Sequence, residues 1–169
     1  MPEKYPAPLI LASVSPRRRR LMSEAGYEFT VVPPEVDESA FAAEKADPVE
    51  YAKRLALAKA KSVAGKHPDS FVIGADTIVD FRGRIIGKAA DAKEAEQITR
   101  KLFSEPHKVI TGVAIVRLSS GTELLQSDST TVYPRKMTPE QIADHVKGGS
   151  WRDKAGAYAI QETGDEFVE

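Results

Sequence analysis

No cysteine occurs anywhere in the 169 residues. Disulfide staples and thiolate metal centres are therefore excluded. Histidine is almost as scarce, and the three that occur (His67, His107 and His145) lie far apart in sequence, which argues against a His-rich zinc site. A bound metal would have to be held by carboxylates, and that donor set favours Mg²⁺ or Mn²⁺. There is no charge surplus of either sign: 24 Lys and Arg face 25 Asp and Glu, giving a net charge of −1 and a pI near 6.3. General nucleic-acid binding needs a basic excess, so no stable nucleic-acid partner is expected. No apolar run approaches membrane-spanning length, and Met1-Pro2-Glu3-Lys4 does not read as a signal peptide, so no membrane partner and a cytoplasmic location are expected. The remaining composition, 41% hydrophobic and 29% charged, is that of an ordinary soluble protein. The length suits a single domain over residues 1–169 with a sizeable core.

The most informative segment is Leu9-Ile10-Leu11-Ala12-Ser13-Val14-Ser15-Pro16-Arg17-Arg18-Arg19-Arg20. A short apolar strand runs into a serine-bearing turn. Ser15 is a good N-cap and Pro16 suits the first helical position. The first turn of that helix then carries consecutive arginines. This is unfavourable, because free N–H groups and the positive end of the helix dipole already sit there. An anion resolves the conflict: hydroxyls, a helix N-terminus and a guanidinium fork together suit a phosphate. The competing reading is a solvated basic face.

Further along, Glu28 to Val32 alternates as a strand, and residues 34–46 read as an acidic loop. Asp47-Pro48-Val49-Glu50 opens a helix that should stop at Gly65. Phe71 to Asp80 reads as a buried strand leading into a hairpin around Phe81-Arg82-Gly83-Arg84. Asp91 caps another helix. Lys108 to Leu118 and Glu123 to Tyr133 are candidate strands, and Thr138-Pro139-Glu140-Gln141 is a capping box for a last helix ending near Gly148. In the first helix, Leu21, Met22 and Ala25 should face the core. Interspersed strands and helices place the chain in the α/β class.

Asp76 breaks the apolar run Val72-Ile73-Gly74-Ala75-Asp76-Thr77-Ile78-Val79. A buried carboxylate needs partners: a metal, a lysine or a water to activate. A purely structural pairing with a buried lysine, or a turn cap, would also satisfy it. Asp37 and Glu38 lie on the acidic loop, where acids are mostly solvated. Arg54 and Lys59 sit on the long helix, and Lys88 follows Gly87 after the hairpin. In Asp153-Lys154-Ala155-Gly156-Ala157-Tyr158-Ala159-Ile160-Gln161, small residues beside an aromatic could admit a flat base, and a Gln amide could read its edge.

Taken in order, these pieces resemble the Maf family of nucleoside triphosphate pyrophosphatases. The matching segments are Leu11 to Arg18, Val36-Asp37-Glu38, Arg54-Leu55-Ala56 with Lys59-Ala60, Gly74 to Thr77, Gly87-Lys88, Thr111-Gly112-Val113 and Asp153 to Gln161. The resemblance implies an α/β fold of the inosine triphosphate pyrophosphatase type, a long central mixed sheet flanked by helices with a cleft between two lobes. It implies cleavage between the α- and β-phosphates to a monophosphate and pyrophosphate, with a divalent cation. It assigns Ser13, Arg17, Arg18, Lys59 and Lys88 to the triphosphate, and Thr77 and Gln161 to placing the nucleotide. Glu38 and Asp76 would serve the metal and the attacking water, with Asp76 as general base and Lys59 beside them. Ser15-Pro16-Arg17-Arg18, Gly74-Ala75-Asp76-Thr77 and Tyr158-Ala159-Ile160-Gln161 resemble the branch acting on dTTP and UTP. A homodimer is compatible with the resemblance. Ala89 stands where the family usually has Pro. Family members usually continue beyond the position of Glu169 with a glycine-containing turn, an Asn-Val-Val-Gly-Leu-Pro-like segment and a helix. The competing class is a non-catalytic nucleotide-binding regulator, for instance of cell division.

Overall fold

The computed structural model describes residues 6–41, 46–159 and 168. A six-stranded sheet has the order β2-β1-β3-β5-β6, with β4 paired to β3. Its strands are β1 (Leu9–Ala12), β2 (Thr30–Val31), β3 (Phe71–Phe81), β4 (Arg84–Ile86), β5 (His107–Arg117) and β6 (Thr122–Val132). The helices are α1 (Pro16–Glu24), α2 (Pro48–Ala64), α3 (Ala92–Leu102) and α4 (Pro139–Gly148). β1 runs parallel to both β2 and β3, and β4 returns antiparallel to β3. This is the mixed α/β class expected from the sequence.

The helix starts are written in the sequence. Asp47 Oδ1 accepts the Glu50 N–H at 3.0 Å, and Pro48 occupies the first position, where its missing N–H costs nothing. Asp91 caps α3 in the same way, accepting from the Glu94 N–H at 2.8 Å. Thr138 and Gln141 form a complete capping box: Thr138 Oγ1 accepts the Gln141 N–H, and Gln141 Oε1 accepts the Thr138 N–H at 2.8 Å.

The chain divides into two compact units. The first comprises residues 1–76 and 111–128, the second 77–110 and 129–169. In the first, Ile10, Ala12, Ala56, Ala60, Val63, Val72, Ala114 and Val116 form the core. Helix α2 lies against the sheet at backbone distance. A Cβ added to Gly74 would overlap the Ala56 carbonyl and the Ala60 N–H, and one added to Gly112 would overlap the Ala52 carbonyl. Only glycine admits that approach.

One expectation fails here. Helix α1 has no buried residue, and Leu21 is 64% exposed. The one-sided pattern of Leu21, Met22 and Ala25 therefore does not mark a core face. The helix is held at its N-terminal end, where Arg18 reaches the sheet, and its apolar residues stay in contact with solvent.

In the second unit, Val79, Phe81, Leu102, Phe103, Met137, Ile142 and Tyr158 make one cluster, and Ala95, Trp151 and Ala157 make another. Among the described residues, the segment after α4 contains four left-handed residues, Gly149, Asp153, Gly156 and Ala157. They fold it so that Gly156 N–H donates to the Gly87 carbonyl at 3.0 Å, and Lys88 pairs with Ala155 as an antiparallel bridge. The Tyr158 ring turns inward. It is buried, meets Phe103 edge-on, and donates its hydroxyl to His107 Nε2 at 2.6 Å. His107 Nδ1 lies 3.3 Å from the Glu105 carbonyl, which can only accept, so Nδ1 carries the imidazole proton.

Candidate active site

Four charged side chains converge in the first unit, one each from α1, α2, β3 and the loop before α2. Asp76 lies on β3, where Val72, Gly74, Ala75 and Ile78 are buried around it. Its carboxylate accepts from Lys59 Nζ at 2.5 Å. The same ammonium lies 2.9 Å from Glu38 Oε1. Lys59 thus bridges two carboxylates. Its side chain is 12% exposed and that of Asp76 10%, whereas that of Glu38 is 46% exposed. The site is buried at its floor and open at Glu38.

Burial pushes the Asp76 carboxyl above its ordinary value, because desolvation disfavours the anion. The ammonium of Lys59 and its hydrogen bond pull the other way, as does Arg18, while the negative charge of Glu38 adds to the upward push. Desolvation wins. A carboxylate held in this balance is a stronger base than a surface aspartate.

Arg18 arrives from the first turn of α1. Its Nη1 donates to the Ala75 carbonyl at 2.8 Å, and Asp76 and Glu38 lie within its electrostatic reach. Burial lowers its proton affinity and the two carboxylates raise it. The helix start is tight: Ser15 Oγ caps the Arg18 N–H, and buried Ser13 accepts from the Ser15 N–H at 3.1 Å. No acid occupies the first turn of α1, so the N–H groups and arginines there form a local positive field. Arg17 is exposed on the same turn.

The structure therefore brings together Arg18, Glu38, Lys59 and Asp76, with Ser13 supporting the turn that presents Arg18. Glu38 sits in a single 3₁₀ turn (Glu38–Ala40) and not in an open loop. Thr77 and Lys88 belong to the second unit, Thr77 half-buried on β3 and Lys88 exposed in its bridge to Ala155. Gln161 lies outside the described residues.

Sequence reasoning missed Tyr51. Its ring is buried on α2, and its hydroxyl feels the charges of Asp76, Glu38, Lys59 and Arg54. Burial first, and then the two carboxylates, push its ionisation upward, so it stays a neutral hydroxyl. The available signal was the spacing Tyr51, Leu55, Lys59, which puts all three on one helical face.

Among the described residues, no group of three or more His, Cys, Asp or Glu side chains is placed to enclose a metal ion. Two carboxylates do converge, Asp76 and Glu38. That donor set fits Mg²⁺ or Mn²⁺, which take one or two protein carboxylates and complete their shell with water and substrate phosphate.

Comparisons with known proteins identify the family. A dTTP/UTP pyrophosphatase of Symbiobacterium thermophilum is 46% identical over 153 residues, covering 90% of this chain and 77% of that protein. One of Citrifermentans bemidjiense is 42% identical, covering 90% and 78%. One of Moorella thermoacetica is 42% identical over 160 residues, covering 95% and 81%. Among solved structures, the Ham1 protein of Staphylococcus aureus superposes with a TM-score of 0.50 at 12% identity, over 75% of this chain and 71% of that one, a likeness of fold alone. The Maf-like protein family model matches residues 8–169, and the chain belongs to the Maf family.

Proposed function

We propose that this protein hydrolyses nucleoside triphosphates to a nucleoside monophosphate and pyrophosphate, with dTTP and UTP as preferred substrates. The observation that carries the reaction is the buried Asp76 carboxylate, raised in basicity and bridged by Lys59 to Glu38, beside an arginine-rich helix start. The substrate preference rests on the relatives, which are dTTP/UTP pyrophosphatases covered over more than three-quarters of their length.

The chemistry follows from charge. A triphosphate brings several negative charges, and more negative charge collects on the departing pyrophosphate. The helix N-terminus, Arg17, Arg18 and Lys59 supply fixed positive charge and donors for it. Asp76 takes the proton of a water as that water's oxygen forms a bond to the α-phosphorus, and the bond from the α-phosphorus to the bridging oxygen breaks. The bridging oxygen leaves with the β-phosphate. No covalent enzyme intermediate is required. Asp76 and Glu38 would hold a divalent cation, which when bound neutralises phosphate charge and makes water more acidic. Lys59 bridges the two carboxylates and opposes the upward push that burial gives the Asp76 carboxyl. Thr77, Lys88 and Gln161 are proposed as further contacts to the nucleotide, on the family resemblance. We further propose that the protein acts in the cytoplasm and as a single functional domain. Among the described residues, no helix is long and apolar enough to cross a membrane.

The test is pyrophosphate release from dTTP, UTP, CTP, GTP and 7-methyl-GTP with Mg²⁺ or Mn²⁺, with Asp76→Asn alongside. Release from dTTP and UTP, lost in the variant, supports the reading. A folded protein that binds these nucleotides without releasing pyrophosphate refutes it.

A further inference from the structure

The exposed half of the candidate site is carried by a short turn. Glu38 belongs to a 3₁₀ turn of three residues, closed by the Phe41 N–H donating to the Glu38 carbonyl at 3.1 Å. So short a turn has little stability of its own. Asp37 caps it, accepting from the Ser39 N–H at 3.0 Å and from the Ser39 hydroxyl at 2.6 Å. Those bonds shape the turn, but they do not tie it to the body of the unit. The Glu38–Lys59 ion pair joins the turn to α2 at one carboxylate, whose side chain is 46% exposed.

The residue that ends the turn is gripped twice. The Arg54 guanidinium stacks over the Phe41 ring, 5.6 Å from its centroid. The Tyr51 hydroxyl donates to the Phe41 carbonyl at 3.5 Å. Both grips come from α2, the helix that carries Lys59, and the hydroxyl of Tyr51 lies in the field of Asp76 and Glu38. One helix therefore supplies the ammonium that meets Glu38 and the two groups that fix the far end of the turn bearing Glu38.

We infer that Phe41, Arg54 and Tyr51 are positioning residues for Glu38: the Phe41 ring under Arg54 and its carbonyl under Tyr51 strap the Asp37–Phe41 turn to α2. The strap sets where the Glu38 carboxylate stands relative to Lys59 and Asp76. The aromatic ring is the specific requirement, since a cation stacks on a π-face and not on an aliphatic side chain. This inference rests on the pyrophosphatase reading for its consequence in catalysis, though not for its geometry.

The test uses the whole chain and the variants Phe41→Leu, Phe41→Trp and Arg54→Gln. Phe41 is half-buried at the surface, so its replacement leaves the core intact. In Phe41→Leu and Arg54→Gln, the Mg²⁺ concentration for half-maximal pyrophosphate release should rise roughly tenfold, as expected when a charged contact of ordinary strength is lost. Melting temperature should stay unchanged. Phe41→Trp, which keeps a π-face, should behave as the parent. In a Glu38→Gln background Phe41→Leu should have no further effect, because the strap acts through Glu38. Metal dependence in Phe41→Leu equal to the parent's overturns the inference, as do effects of Phe41→Leu and Glu38→Gln that multiply. Amide hydrogen exchange of Phe41 reads the strap without turnover: faster exchange in Arg54→Gln supports it, and equal exchange overturns it. If the parent chain releases no pyrophosphate, the functional reading fails, and the exchange result alone decides the strap.

Discussion

Replacing Asp76 by Asn should abolish catalysis without weakening the fold. The carboxylate side chain is 10% exposed, and burial raises its proton affinity despite the Lys59 ammonium at 2.5 Å. A group that binds its proton more tightly when folded than when unfolded makes a specific contribution to stability. Below the ordinary aspartate range both states hold the proton, and nothing is lost. As pH rises from there to the raised folded value, the unfolded chain ionises first, stability falls, and the loss persists above that window. Above that window the ionised Asp76 is therefore a net burden on the fold. Asn keeps the shape and removes the charge, and Lys59 retains Glu38 at 2.9 Å. Above that window the melting temperature of the variant should be no lower than the parent's. Removing a general base costs about 10²–10⁴-fold in rate. At about 1.4 kcal/mol per tenfold, that is roughly 3–5 kcal/mol of transition-state stabilisation. The assays are pyrophosphate release with saturating dTTP, and thermal melts from pH 3 to 8. The parent should lose stability relative to the variant as pH rises through the acid range. A variant that melts well below the parent at pH 7 would refute the reasoning, since the Asp76–Lys59 pair would then be a net structural bond. Unchanged turnover would remove Asp76 as the base.

Lys59→Met removes the charge that holds Asp76 down, so the acid limb of the pH–rate profile should move to higher pH, with up to about 3 kcal/mol of stability lost in denaturant titrations. Arg17→Ala, on an exposed turn of α1, should leave the melting temperature unchanged and weaken triphosphate binding about tenfold. The loss for the monophosphate should be smaller when both are measured by calorimetry. Gly74→Ala places a methyl group against the backbone of Ala56 and Ala60, which can yield only by moving α2 off the sheet. Its cost should be about 3 kcal/mol, read as a fall of roughly 6–12 °C in melting temperature.

Local chemistry was legible in the sequence wherever neighbours in the chain decide the structure. Ser15-Pro16, Asp47-Pro48 and Thr138-Pro139 cap the helices as their side chains dictate, and a carboxylate inside an apolar strand marked Asp76. Its partner was less legible, because Lys59 lies 17 residues away and only the packing of α2 on β3 joins them. Strand β2 shrinks to Thr30–Val31, where the alternation from Glu28 to Val32 suggested more, because a pattern of apolar residues does not say how far a neighbouring strand offers hydrogen bonds. The same limit applies to α1: the stripe of Leu21, Met22 and Ala25 has helical spacing, but spacing cannot say whether anything covers it. Tyr158 shows the reverse case. Small neighbours suggested an open platform, whereas the turns at Gly156 and Ala157 direct the ring into the core against Phe103 and His107.

The contact of Gly74 and Gly112 with the backbone of α2 has a consequence for how such a protein can diversify. The seam makes helix and strand a single rigid mount, and Lys59 and Asp76 are both fixed to it. Larger side chains at Ala52, Ala56, Ala60, Gly74 or Gly112 must push α2 off the sheet, so change along this seam is costly. A change of substrate must come from side chains that are not fastened to the mount, while the spacing of ammonium and carboxylate is inherited unchanged. A library built to alter nucleotide choice should spare these five positions, keep the arginines of α1 for the triphosphate, and vary Thr77 and Gln161.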